Sequence, residues 1–451
     1  MAISETILNT RFGYGIRPDA RNMGSIADAL NGLKEADPLD RRFARPDMLA
    51  RIGLHQEMQK AKRDERRNVS GAEARYKAAQ QESRSWIGED MRSYFARAAI
   101  SDRGFKERLV AFWADHFTVS GKNQRVLLTL GDYLDEAIRP NVATTFGELL
   151  NAVVSHPAML MYLDQVTSFG PNSAVGQRED SGLNENLARE ILELHTLGVN
   201  GSYTQDDVRQ FAELLTGLRV GVKGFYYDKR AAEPGAETIL GTSYGGATGK
   251  MSDVKDFLDD LAVHPDTAAH IAYKLVVHFI SEDPPQDMVE AIASTYRNTR
   301  GDLMAIYKTM LEHPASAGPL GAKAKLPTEY VVSTLRALDI AEEITTQKPR
   351  VIRNVLQIPM QAMGMDVFRP SGPDGWSETA ADWITPPTLA ARIEWAVEAA
   401  KEYGQGKDPR QLLQYVLGDG VSNELQVAVA GAESKWEGVA LLLVSPEFNR
   451  R

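Results

Sequence analysis

The stretch from Leu183 to Gly198 gathers more chemistry-bearing side chains than any other part of the chain. Asn184 can cap the start of a helix there, and Gly198 suits the left-handed position just past its end, so the spacing predicts a bounded helix over 184–197. At about 100° per residue, Leu187, Ile191 and Leu194 form one stripe while Asn186, Arg189, Glu190 and Glu193 gather on another face. Glu190 and Glu193 are therefore neighbours. Two adjacent carboxylates can hold a divalent cation, or divide into an acid and a base when burial raises one of them. The plainer reading is a solvated ladder in which Arg189 links Glu185 to Glu193 at four-residue spacing. On the same helical wheel His195 points nearly opposite to Glu190, where it suits a C-terminal cap better than a shared ligand set.

A second candidate is His116. Phe105, Leu109, Phe112 and His116 recur at helical spacing, so the imidazole lies in an apolar stripe and needs either a buried partner or a cavity. Asp164 closes the helix expected over 157–164, and reads either as a turn residue or as a carboxylate on a cleft rim. His270, Lys274 and His278 lie four residues apart. Two histidines eight residues apart on one helix are separated by about 12 Å and cannot share a metal, so a mixed polar surface is expected there. His156, His264 and His313 each precede a proline, which suggests a connector in which His bonds free backbone groups as the next helix starts. No zinc-binding His-Glu-x-x-His helix, phosphate loop, nucleophile elbow or dinucleotide fingerprint is present.

The elements that must carry these groups are overwhelmingly helical. Further helices are expected at 104–117, 124–138, 144–155, 205–216, 253–262, 266–280, 286–298, 301–312, 327–343, 351–363, 386–403, 409–417 and 436–444. One or two long charged helices are expected between His55 and Ala99, with Gly71 the strong breaker. Three stretches interrupt the pattern. Thr167–Ser181 contains Gly170, Asn172 and Gly176; Arg219–Gly246 carries alternating residues that suit one small β-hairpin; and Asp366–Pro387 holds Trp376, Trp383 and several Gly and Pro. Long loops of this kind inside a compact body are functional or disordered, and the aromatics argue against disorder. The expected class is an all-α multi-helix bundle with at most a small hairpin. It is divided into an N-terminal helical region (1–100), a central core with the main motif (101–250) and a C-terminal helical region (251–451).

Composition narrows the chemistry. The 451 residues carry a net charge of -10 and no cysteine, which removes disulfides, thiolate nucleophiles and Cys-ligated clusters. The acidic balance, without a clustered basic field, argues against nucleic acid. No apolar run is long enough to span a membrane. No classical secretory signal opens the chain, which is then expected in the cytoplasm or exported with a partner.

Several motifs together resemble the bacterial DUF1800 family, a domain of unknown function. They are Arg11-Phe12-Gly13, the run Phe112 to Phe117, Asn186 to Val199, Tyr203 to Val208, Leu215-Thr216-Gly217, Lys325-x-Pro327, Gly375-Trp376 and Ser445 to Phe448. The similarity covers nearly the whole chain. It implies no established activity, but it implies export and a co-encoded, sulfatase-like partner. Ala114 stands where the family commonly has the first histidine of Trp-His-x-His-Phe, and Ala232-Glu233 stands where it commonly has His-Asp, with Glu237 following before Leu240-Gly241. If those histidines form a metal or catalytic cluster in relatives, this chain has lost part of it.

Two functions fit these residues. One is a hydrolase or lyase acting on a polysaccharide, with Glu190, Glu193, His116 and Asp164 as catalytic groups and Arg189, Asn186, Asn172 and Trp376 binding a glycan. A divalent cation is compatible with that set. The other is a non-catalytic partner or assembly protein for the sulfatase-like protein.

Overall fold

The computed structural model describes residues 3–18, 20–179 and 182–451. The chain is 64% helical, with two separate two-stranded antiparallel sheets as its β-structure among the described residues. Among those residues no helix is long and apolar enough to cross a membrane.

Helix starts follow side-chain caps. Thr145, Thr204 and Ser434 each accept the N3 backbone N–H while Glu148, Asp207 and Glu437 return the bond, closing capping boxes. The three His-Pro junctions work as connectors: Nδ1 of His156, His264 and His313 accepts from the backbone N–H two residues on, at 3.2, 3.1 and 3.3 Å, and the proline begins the next helix. Ser4, Ser25 and Ser422 likewise cap the helices Glu5–Phe12, Ile26–Lys34 and Asn423–Ala430. Sequence periodicity does not single out these three, since Glu5–Phe12 buries Asn9, Thr10 and Arg11 beside its apolar residues.

Three expected helices are broken by π-turns. The span 124–138 resolves into Gln124–Leu127, Leu130–Asp132 and a π-segment Tyr133–Ile138. The span 184–197 becomes Asn186–Glu190 followed by a π-segment Ile191–Thr196. The third has a visible cause. Pro359 has no N–H to offer the carbonyl of Val355, the chain widens into a π-turn over Arg353–Gln357, and the indole N–H of Trp395 donates to that carbonyl at 3.0 Å.

The single expected hairpin is two. Leu218–Gly221 pairs with Gly224–Tyr227, and Gly235–Ile239 pairs with Thr242–Gly246. The second turns through Leu240 and Gly241, both at positive φ (50° and 78°). Leucine is a poor residue for that conformation and hides the turn from a sequence reading. Its N–H is held by Asp207 Oδ1 at 2.7 Å.

One apolar cluster runs from Leu8 to Phe448 and contains residues of all three chain regions. A smaller one, Leu54, Met58, Ala79 and Leu128, lies under the antiparallel helices Met48–Arg66 and Ala72–Ile100, which reverse at Gly71 (φ 76°). This hairpin is pinned by charge. Arg51, with no exposed side-chain surface, donates to both oxygens of Asp90 at 2.7 and 2.8 Å and to the Leu128 carbonyl at 2.7 Å, and pairs with Asp132 at 3.0 Å.

Removing one member of a buried pair strands the other, so Asp90→Asn is expected to lower unfolding free energy by about 3–5 kcal/mol in urea titrations. A loss below about 1 kcal/mol would show that Arg51 finds its stabilisation elsewhere.

Candidate functional site

The helix Gly104–His116 has two working faces. Phe105, Leu109 and Phe112 enter the core. Beside them Arg108, Ala111, Ala114 and Asp115 line a cavity of about 90 Å³. The small alanines leave the space, and the two charged groups face into it. Other walls come from Tyr14 and Tyr94, from Leu130, from Tyr133 and Leu134 on the first π-turn, from His278, and from Thr328 and Glu329 at the start of the helix Pro327–Ala337.

The third long loop is the roof, supplying Met365, Val367, Phe368, Pro370 and Trp376. Three bonds hold it down: Gly121 N–H to the Phe368 carbonyl (2.8 Å), Ser120 Oγ to the Pro370 carbonyl (2.9 Å), and Trp376 N–H to Asp115 Oδ1 (2.9 Å). Gly375 has φ 80°, and a Cβ there would lie 2.7 Å from Asp115 Oδ1 and 2.8 Å from its carbonyl oxygen. Only glycine lets the roof come this close.

Behind the cavity runs a buried chain of charges. Lys323 Nζ lies 2.7 Å from Glu378 Oε2. Glu378 Oε1 accepts from His278 Nδ1, and His278 Nε2 accepts from Arg108 Nη2 at 3.1 Å. A ring nitrogen that accepts from arginine carries no proton, so these partners assign His278 as the neutral Nδ1–H tautomer. Burial lowers its pKa to about 4 despite Glu378, in keeping with that form. Arg108 Nη1 also pairs with Glu329, which accepts from Arg451 at 2.8 and 3.2 Å. Burial opposes the ionisation of Glu329, but Arg108 and Arg451 outweigh it and hold the carboxyl down at about 2. Lys325 lies over the ring of Phe448 at 4.1 Å, and burial pulls its ammonium down to about 7, against the pull of Glu329.

Asp115 differs from these carboxylates. Burial raises it to about 7; the Trp376 N–H bond works the other way, Glu378 and Asp374 add to the rise and Lys274 opposes it. A carboxyl that gains and loses its proton near neutrality, on a cavity wall, is suited to proton transfer.

The sequence-expected residues do not meet in this cavity, apart from Trp376. His116 is in the core, its Nε2 donating to the carbonyl of His195 at 3.0 Å. Arg189 joins Glu185 and Glu193 at 3.0 and 3.2 Å, forming the ladder that the spacing allows, and Asn186 is exposed. Glu190 is raised to about 7 by burial, by Glu193 and by Asp374, with Arg189 opposing. Asp374 thus acts on both Glu190 and Asp115. Asp164, at φ 58°, pairs with Lys122 at 2.8 Å. Asn172 donates from backbone and side chain to Glu233 at 2.9 and 2.6 Å.

Two orientations differ from expectation. His195 does not cap the helix end: the wider π-turn carries it inward, where it is 1% exposed with its ring 6.0 Å from that of His116. His278 is part of the buried charge chain, not of a polar surface. His270 is bonded through Nε2 to the Leu194 carbonyl at 3.0 Å. Among the described residues no three His, Asp or Glu side chains converge as a metal site. Arg108, Asp115, His278, Glu329 and Glu378 are absent from the sequence-derived site. The available signal was the polar and small-residue stripe Arg108, Ala111, Asp115 beside the apolar one.

The chain belongs to the DUF1800 family, described as a protein of unknown function, whose model matches residues 7–450. No curated protein and no solved structure matches it.

Glu329 has a pKa below its unfolded value of about 4.5, so its stabilisation is present above that pH and is lost as pH falls towards 2. Urea unfolding of the wild type is expected to lose about 3 kcal/mol from this group across that window. Glu329→Gln should remove most of this acid dependence and cost a similar amount or more at pH 7, because two guanidiniums lose their counter-charge. An unchanged acid limb in the variant would move the dependence to other carboxylates.

Proposed function

We propose that this DUF1800 chain is an acid–base enzyme, a hydrolase or lyase acting on the terminal unit of a glycan, in which Asp115 exchanges the proton with substrate. The observation that carries the reading is the Asp115 carboxyl, held near 7 on the wall of a cavity closed by the Trp376 loop. The space of about 90 Å³ suits one small group and not the interior of a polymer, which narrows a polysaccharide substrate to attack at an end. Tyr14 and Tyr94, whose phenols burial keeps protonated, offer hydrogen bonds to substrate hydroxyls, and the indole of Trp376 offers an apolar face. In hydrolysis, protonated Asp115 would deliver its proton to the departing oxygen as the C–O bond breaks. Water then adds at the sugar carbon and returns its proton to the Asp115 carboxylate, restoring the starting state; Glu190, also raised to about 7, does not line this cavity. Arg108 and His278 position the cavity wall. No step requires a cation.

The test combines activity with stability. Asp115 is raised above its unfolded value of 3.8, so ionisation favours the unfolded chain and stability falls as pH rises from about 4 through 7. Asp115→Asn keeps the acceptor for the Trp376 N–H and removes the charge. It should stabilise the fold at pH 8 by roughly 2–4 kcal/mol, the gain fading towards pH 4. It should also cut release of terminal sugars from a panel of oligosaccharides by about 10² or more. If the wild type releases nothing while the variant stabilises as described, the acid–base enzyme reading fails. The alternative of a non-catalytic partner for a co-encoded sulfatase-like protein then takes its place.

A further inference from the structure

A second pocket, of about 450 Å³, opens between the helix Met48–Arg66, the short helix Gln124–Leu127 and the turn of the first hairpin. It shares no lining residue with the central cavity. Arg51, His55, Gln59 and Arg63 lie four residues apart, so they form one stripe along one face of the long helix, with Gln56 beside them. Arg125 approaches from the short helix. Ile52, Met161, Val220 and Val222 supply an apolar wall, and no aspartate or glutamate lines the space. In a chain of net charge -10, a pocket lined by three arginines, a histidine and two amides and by no acid is a pronounced local excess of positive charge and donors.

The cations differ in how they are occupied. Arg51 is committed to Asp90 and Asp132. The side chains of Arg125 and Arg63 have neither a hydrogen bond nor an ion pair among the described residues. Arg125 feels Asp164 only at a distance, and that carboxylate is already held by Lys122 at 2.8 Å. His55 Nδ1 is buried and has no partner. Guanidinium groups beside a half-buried imidazole repel one another, and Arg125 together with burial makes His55 harder to protonate. A bound anion relieves both costs.

We propose that this pocket binds a small ligand carrying a tetrahedral oxyanion, a phosphate or sulfate ester. Arg63 and Arg125 would grip the oxyanion from two sides, the His55 ring and the Gln56 and Gln59 amides would complete its hydrogen bonds, and the body of the ligand would lie on Met161 and Val220. The volume accommodates a body the size of one sugar ring or one nucleoside.

Isothermal titration of the full chain tests this with four probes: inorganic phosphate, inorganic sulfate, glucose 6-phosphate and glucose 6-sulfate. Saturable binding of one ester per chain is expected, tighter for an ester than for its inorganic ion, and the stronger of the two esters identifies the headgroup. Arg125→Gln should weaken it at least about tenfold, and Arg63→Gln several-fold, with helical content unchanged. Lys435→Gln, an exposed charge on a distant helix, should leave it unaltered. The absence of saturable heat with all four probes at about 10 mM, an affinity indifferent to Arg125→Gln, or an equal loss in Lys435→Gln would each overturn the proposal. Because Asp115 is not part of this pocket, these outcomes are independent of the acid–base reading.

Discussion

A carboxylate buried between two guanidiniums organises this molecule. Glu329 sits at the start of one helix, Arg108 in the first turns of another, and Arg451 on the segment that pairs with Lys323 and Lys325 through backbone bonds of 2.8 and 2.9 Å. Each charge costs several kcal/mol to take out of water, and only near-ideal geometry repays it. The helices Gly104–His116 and Pro327–Ala337 are therefore fixed in relation to the 321–325 segment. Glu378 and His278 extend the same constraint to the roof loop. The cavity is what remains between elements whose positions these charges have already settled.

That arrangement explains why half-buried Asp115 and buried Glu329, both on the cavity wall, go in opposite directions. Glu329 has two guanidiniums at bonding distance. Asp115 has one backbone N–H, and carboxylates beyond it. The number of donors decides the sign of the shift, since burial pushes both upward. Asp115 is thus a site where the fold carries a cost, and Gly375 lets the roof lie directly against it. Ala114 contributes from the same helix. Where the family resemblance expects an imidazole, a methyl group leaves room on the cavity wall.

Helical architecture was legible because the 3.6-residue period dominates the apolar pattern and the caps are local. The His-Pro connectors were legible for the same reason: the imidazole bonds a backbone group two residues away. What escaped was set by distant parts of the chain. The π-turn at Ile191–Thr196 changes the angular advance per residue, so a wheel drawn at the α-helical step sends His195 to the wrong side. Arg108 and His278 lie 170 residues apart in sequence, and nothing local announces their pairing. Asp115 stood in plain view beside His116, but its environment is made by Trp376 and Asp374, which belong to a loop some 260 residues on. Glu190 and Glu193 carried the more suggestive spacing, and Arg189 holds Glu193 to Glu185 while leaving Glu190 unpaired by it.

The two pockets differ in a way that net charge alone does not reveal. In the centre, cations and anions alternate until the chain is nearly compensated, and the group left over is an acid poised between its two forms. At the periphery, Arg63 and Arg125 face a space with no acid of their own. Neither arginine serves the fold through an ion pair: Arg63 is exposed, Arg125 is half-buried, neither side chain meets a carboxylate, and their mutual repulsion subtracts from stability. The buried arginines elsewhere are matched at bonding distance, by carboxylates at Arg51 and Arg108 and by backbone carbonyls at Arg11, Arg336 and Arg392. The mismatch at Arg125 is consequently the feature that calls for a counter-charge from outside the chain.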